Sequence, residues 1–177
     1  MSFVQPDDTF AVVDENDNVI TSAKRSYVHA NGLRHRAVHA LLFDGKGNLL
    51  LQKRSAYKDL CPLLYTTSCS GHVDFGEDYE TALIREMREE LGIETNLDDY
   101  TYIGKVDAQE STGMEFTKVY TITYNEDFKF DEAEVDSLAW ISISDFEKKI
   151  LSESENFTKT FIIVYNFFKG RKKNSKS

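Results

Sequence analysis

The sequence has only two cysteines, Cys61 and Cys69, with no CxxC pair and no histidine at zinc-finger spacing. A disulfide framework and a structural zinc site are therefore set aside, and both residues are read as free thiols. Long apolar runs are also missing. None approaches the ~18 to 20 residues that would span a bilayer, and the opening MSFVQPDDTF carries neither a basic region nor a hydrophobic segment. A soluble cytoplasmic protein without membrane contact is the expectation. Basic residues are in the minority, with 21 Lys and Arg against 30 Asp and Glu and a formal net charge of -9. Such a surface suits no nucleic-acid polymer, because phosphate backbones are bound through clustered Lys and Arg. What is present is a chain of 177 residues, 41% of them apolar, with 12 Phe and 9 Tyr. That is enough to build the core of one folded domain.

Turn clusters divide the chain into elements. Asp14 to Asn18 separates two short apolar stretches and predicts an N-terminal hairpin. HRAVHALLFDGKGNLLLQKRS predicts a second, central hairpin around Asp44 to Asn48. A stretch with Cys and Ser at 61–70 and a glycine-bounded loop at 71–76 lead to a predicted helix from Asp78 to Leu91. Asp78 is its cap, Gly92 its stop, and Tyr79, Ala82, Leu83, Met87 and Leu91 recur at helical spacing. Strands are expected near 100–108, 116–124 and 137–142. Helices are expected at 144–151 and 155–169, the latter ended by Gly170. The basic residues 171–177 predict a disordered tail. Strands and helices interleaved in this order point to an α/β fold, a mixed sheet covered by helices.

Glu86, Glu89 and Glu90 share one face of the predicted helix, since 100° per residue sets Glu89 and Glu90 about 60° and 40° to either side of Glu86. Carboxylates roughly 5 to 6 Å apart repel by about 3 kcal/mol per pair at an effective dielectric of 20. A cation reverses that sign, and an all-oxygen ligand set suits Mg²⁺ or Mn²⁺ rather than Zn²⁺. For REMREEL taken alone, an ordinary solvated acidic face explains the charges as well.

Read outward, the stretch is Gly71, five residues, Glu77, seven residues, then Arg85-Glu86-Met87-Arg88-Glu89-Glu90-Leu91-Gly92-Ile93. It resembles the complete signature of the Nudix family, a pattern that average residue usage gives by chance about 10⁻⁷ times per chain of this length. The resemblance implies a Nudix-type α/β/α sandwich over 31–170, preceded by a strand and hairpin extension over 1–30. It also implies a hydrolase that holds divalent metal against a small-molecule diphosphate and directs water to phosphorus. Carried over residue by residue, it makes Glu86, Glu89, Glu90 and the Gly71 carbonyl metal ligands, Arg85 the residue orienting a glutamate, and Glu77 a support behind them. Glu86, Glu89 and Arg85 form the catalytic set. The general base is Glu86 or a carboxylate from a later loop, Glu115 or Glu134, and Glu115 is also counted as a metal ligand. Lys53 and Arg54, following a strand, are candidate phosphate contacts, and Gly76 is read as a turn glycine with positive φ. A homodimer is compatible with the sequence, and the group attached to the diphosphate is left open.

The histidines, His29, His35, His39 and His72, all fall in the first half. HRAVHALLF, LLLQKRS and SGHVDFGE are similar to the branch of this superfamily that holds type 1 isopentenyl-diphosphate isomerase and its hydrolase-like relatives. In those isomerases histidines near these places bind a metal. His35 and His72 match and are taken as substrate-site residues, while His29, out of register by about one residue, and His39 are read as structural. The isomerase needs a cysteine acid/base before the Gly-His pair, and here Ser70 stands there with Cys69 one position earlier. A strand sends adjacent side chains to opposite faces, so hydrolysis is expected over isomerisation. A silent diphosphate-binding module is the third alternative, disfavoured because no signature carboxylate is lost.

Overall fold

The computed structural model describes residues 6–174. Asp14 closes the first turn by accepting from the backbone N–H groups of Asn16 and Asn18, at 2.8 and 2.9 Å. Around that turn β1 (Thr9–Val13) and β2 (Val19–Lys24) form the expected hairpin, a two-stranded sheet of its own. The extension also contains a short helix that the sequence reading did not anticipate, α1 (Arg25–Ala30).

The second hairpin joins β3 (His35–Phe43) to β4 (Asn48–Arg54) through a turn in which Asp44 accepts from the N–H groups of Lys46 and Asn48. The two strands pair at Phe43↔Leu49 and then diverge. Into the gap come β5 (Tyr65–Thr66), which pairs with Gln52 and Lys53, and β6 (Cys69–His72), which pairs antiparallel with Ala37 to Ala40. Neither is among the strands placed from turn clusters and periodicity, since Cys-Ser-Gly-His has no apolar alternation, although the comparison of Cys69 with Ser70 takes the backbone there as extended. After α2 (Tyr79–Leu91) come β7 (Thr101–Val106), β8 (Glu115–Thr123) and β9 (Val135–Ser142). β8 runs parallel to β3 from His35↔Glu115 to Phe43↔Thr123, β7 pairs antiparallel with β8, and β9 with β4. The result is a mixed seven-stranded sheet.

The pleat divides the apolar residues between two cores. Val38, Ala40, Leu42 and Leu50 face Leu83, Met87 and Leu91 of α2. Leu41, Leu49 and Leu51 face the other way, onto Phe146 of α3 (Ile143–Ser152) and Phe161 and Tyr165 of α4 (Lys159–Asn174). This is the expected three-layer α/β/α arrangement. Two boundaries are corrected. α4 starts at Lys159 rather than 155, because Ser154–Asn156 form a separate 3-10 turn and the Thr158 hydroxyl accepts from the Phe161 N–H. It then continues through Gly170 to Asn174, so residues 171–174 are helical rather than a disordered tail, and 175–177 lie outside the described residues. A glycine inside a helix costs only about 1 kcal/mol, which burial of Phe161, Val164, Tyr165 and Phe168 outweighs. Among the described residues no helix is long and apolar enough to cross a membrane.

Candidate active site

The box helix is set in rotation by its ends and its buried face. The Asp78 carboxylate accepts from the Thr81 N–H at 2.7 Å, and Gly92 closes the helix in the left-handed region with φ 67°. With Leu83, Met87 and Leu91 in the core, Glu86, Glu89 and Glu90 are turned to one cavity of about 920 Å³. Glu90 is only 3% exposed. It accepts from Gln52 Nε2 at 2.8 Å and from the Ser70 N–H at 3.2 Å, so β4 and β6 both hold it. Glu86 lies against Gly71, where an added Cβ would sit 2.0 Å from the Glu86 carboxyl carbon. A side chain at 71 would displace the Glu86 carboxylate, so glycine lets it lie against the β6 backbone.

Arg85 binds most of the remaining charge. It donates to Glu77 at 2.8 and 2.9 Å, to Glu86 at 2.7 Å, to Glu89 at 3.1 Å and to the His72 carbonyl at 2.9 Å. Glu77 in turn accepts from the Asp74 N–H at 3.0 Å, tying the loop to the helix. Burial pushes the Glu86 carboxyl up to about 8, reinforced by neighbouring Glu90 and opposed by Arg85. Burial also raises Glu90, against the pull of Lys58 and the Gln52 hydrogen bond. Glu86 and Glu90 are two carboxylates held out of water side by side, and with Glu89 they offer oxygen donors of the type a hard divalent ion takes.

A second cluster meets the first at Gly71 and His72. The parallel register places His35 beside Glu115, and β6 carries His72 to the same corner. His72 Nε2 lies 2.9 Å from Glu115 Oε1 and His35 Nε2 3.5 Å from it. His29, carried in by α1, completes a group whose ligand atoms all lie within 4.8 Å of one another. The Leu33 carbonyl holds His35 Nδ1 at 2.9 Å, which leaves the buried Nε2 aimed into the cluster without a hydrogen bond. Burial works against the Glu115 charge, yet contact with His35 and His72 holds its carboxyl well below the usual range. Burial, with the neighbouring histidines, lowers His29 to about 4, and burial lowers His72 as well, so neutral imidazoles face a carboxylate. Three such nitrogens and an oxygen could hold a borderline divalent cation. His29, read as structural and about one residue out of register with the isomerase pattern, is thus brought into the cluster by the way α1 docks. His39 remains structural: it is buried and bonded to the Thr67 hydroxyl at 2.8 Å.

Other expectations divide. Arg54 lines the cavity and donates to the Leu60 carbonyl, whereas Lys53 does not line it and pairs with Asp136 at 3.8 Å. Lys58 and Arg25 are cations at the cavity that sequence reasoning passed over, paired respectively with Glu134 and Asp59. Both Glu115 and Glu134 line the cavity. Ser70 faces it, while Cys69 is 1% exposed in the α2-side core, where burial raises its thiol well above the usual value.

Comparison with known proteins agrees with this site. The NUDIX domain family matches residues 33–161. An isopentenyl-diphosphate Delta-isomerase of Serratia proteamaculans is 32% identical over 161 residues, 89% of each chain. An uncharacterized Nudix hydrolase of Nostoc is 34% identical over 131 residues, 73% of this chain and 78% of that one. A crystal structure from Deinococcus radiodurans superimposes with a TM-score of 0.73 at 27% identity, covering 82% of this chain and 90% of its own. With the signature in place on a loop and helix that face one cavity, the chain belongs to the Nudix family, whose enzymes use divalent metals.

Proposed function

We propose that this protein is a Nudix pyrophosphohydrolase, cleaving a phosphoanhydride bond of an organic diphosphate with Mg²⁺ or Mn²⁺ at Glu86, Glu89, Glu90 and the Gly71 carbonyl. The observation that carries the reading is the buried Glu86 and Glu90 pair beside Gly71, whose negative charge Arg85 offsets in part and a bound cation would offset further. Mg²⁺ or Mn²⁺ there supplies charge neutralisation for phosphate oxygens and a more acidic water. The chain's own residues do the rest. Arg85 Nη1 holds Glu86 Oε1, leaving Oε2 to accept the proton of the attacking water. Arg54 and Lys58 bring positive charge to the same cavity for the diphosphate. One water is consumed: its oxygen bonds to phosphorus, the bridging P–O bond breaks, and the leaving phosphate keeps the bridging oxygen. A phosphate-release screen across nucleoside, sugar and isoprenyl diphosphates with Mg²⁺ or Mn²⁺ tests this, and binding without turnover of any of them would favour a silent module.

Isomerisation of isopentenyl diphosphate is the second reading, favoured by the histidine cluster and by relatives named isomerase. It needs a positioned acid at the cavity, and there the chain has Ser70, with the Cys69 thiol turned into the core. Incubation with isopentenyl diphosphate and Mg²⁺ in D₂O should yield no deuterated dimethylallyl diphosphate. Incorporation that disappears in Cys69→Ala would replace the hydrolase reading.

A further inference from the structure

The N-terminal extension reaches the site at two points: α1 brings His29, and β1 brings Phe10, whose ring lies 4.5 Å from His72 and 5.6 Å from His35. Its hold on the domain includes the Arg25–Asp59 pair, the backbone bonds Val13 N–H to Arg34 and Phe75 N–H to Thr9, and, at the hairpin turn, one carboxylate. Asp17, in the β1–β2 turn, takes a left-handed φ of 66°, and its side chain is 7% exposed. It accepts from Arg36 Nε of β3 at 2.6 Å, from Lys105 Nζ of β7 at 2.7 Å and from the Tyr79 hydroxyl at the first residue of α2 at 2.8 Å. Its carbonyl accepts from Arg36 Nη2 at 2.5 Å. The hairpin turn is thus bound to β3, whose first residue is His35, and to the helix that bears the carboxylates.

We infer that Asp17 is a positioning residue for the histidine cluster: by latching the hairpin onto β3, β7 and α2 it sets His29 and Phe10 in place, and so determines how tightly that cluster holds a divalent cation. The inference rests on the cluster being a metal site, and not on which reaction the protein catalyses. A charge buried among three donors loses most when the charge alone is removed, and asparagine keeps the left-handed turn that aspartate occupies here. Asp17→Asn therefore tests the latch without disturbing the turn.

The full chain is titrated with Co²⁺, read by its visible absorption bands, with excess Mg²⁺ present to occupy the carboxylates of the box helix. Asp17→Asn should weaken Co²⁺ binding about tenfold or more, the scale on which supports behind metal ligands act. Mn²⁺ affinity at the box carboxylates, measured by electron spin resonance, should stay unchanged, which a general loss of structure would not allow. The decisive comparison is a double-mutant cycle with His29→Ala, in which Asp17→Asn should cost less Co²⁺ affinity than in the wild type, because the route through His29 is cut and only that through Phe10 remains. Tyr79→Phe, which removes one donor and leaves both charges paired, should weaken Co²⁺ in the same direction and covers the case of an Asp17→Asn chain that does not fold. Wild-type Co²⁺ affinity in Asp17→Asn, or in Tyr79→Phe where Asp17→Asn does not fold, would overturn the inference. So would an equal loss with and without His29. Undiminished Co²⁺ binding by His29→Ala would instead remove the metal site on which it rests.

Discussion

Glu90 and Arg85 stand in contrasting positions, although both belong to one helix. Glu90 is enclosed, with Gln52 and Ser70 on one oxygen, whereas Arg85 reaches four acceptors around the loop. Glu90→Gln should lower kcat by ~10² or more while the apo protein folds at least as well, because a buried charge beside Glu86 is removed. Thermal unfolding and Mg²⁺-dependent turnover check both halves, and a wild-type rate would end the metal assignment. Arg85→Ala should slow turnover by about 10 to 100-fold with metal still bound, and Arg85→Lys should restore only part of it. The guanidinium donates to Glu77 through Nε and Nη2 together, a geometry an ammonium lacks. Steady-state kinetics of the two variants side by side, with Mn²⁺ binding measured separately, decide it.

The box helix was legible from sequence because cap, stop and apolar period agree, and its observed span, Tyr79–Leu91, follows those signals. Gly92 makes the point quantitatively. A Cβ there would lie 2.4 Å from the Lys129 carbonyl in addition to the φ of 67°, whereas Gly113 has φ 68° and nothing within 4 Å. Gly113→Ala should cost about 1 to 2 kcal/mol, the price of the left-handed conformation alone, and Gly92→Ala about 1 to 3 kcal/mol more through the clash. Urea unfolding of both measures the difference. β6 was illegible for the opposite reason: four residues without alternation become a strand only because β3 and β4 part and leave an edge to fill. The end of α4 was misread because local propensity at Gly170 is weak beside the burial of Phe168 and its neighbours. Lys53 and Arg54 look equivalent in the sequence, but successive residues of a strand point to opposite faces.

At the scale of the whole molecule, the fold class and the carboxylate site followed from the signature, while the histidine cluster needed tertiary structure, because its members come from α1, β3, β6 and β8. The sheet also sets a dependence on pH. Burial lowers His39 to about 4, so between that value and the ordinary 6.5 an unfolded chain binds a proton that the native chain refuses. Stability should therefore fall as pH drops from about 6.5 to about 4, by about 3 kcal/mol from this residue, and level off below. Denaturant unfolding across that range should show the slope, and His39→Gln should reduce it by this residue's share, with His29 and His72, also lowered, keeping a slope of the same sign. The parallel pairing of β3 with β8 has one more consequence, for a chain emerging from the ribosome. His29, His35 and His72 all precede the box helix in the chain, but Glu115, the anionic member of the cluster, arrives only with β8. Until that strand docks in register beside His35, the three imidazoles lack the carboxylate that completes the group. The group is thus complete only after β8 has been made, and its completion reports that the parallel pairing of β3 with β8 is in register.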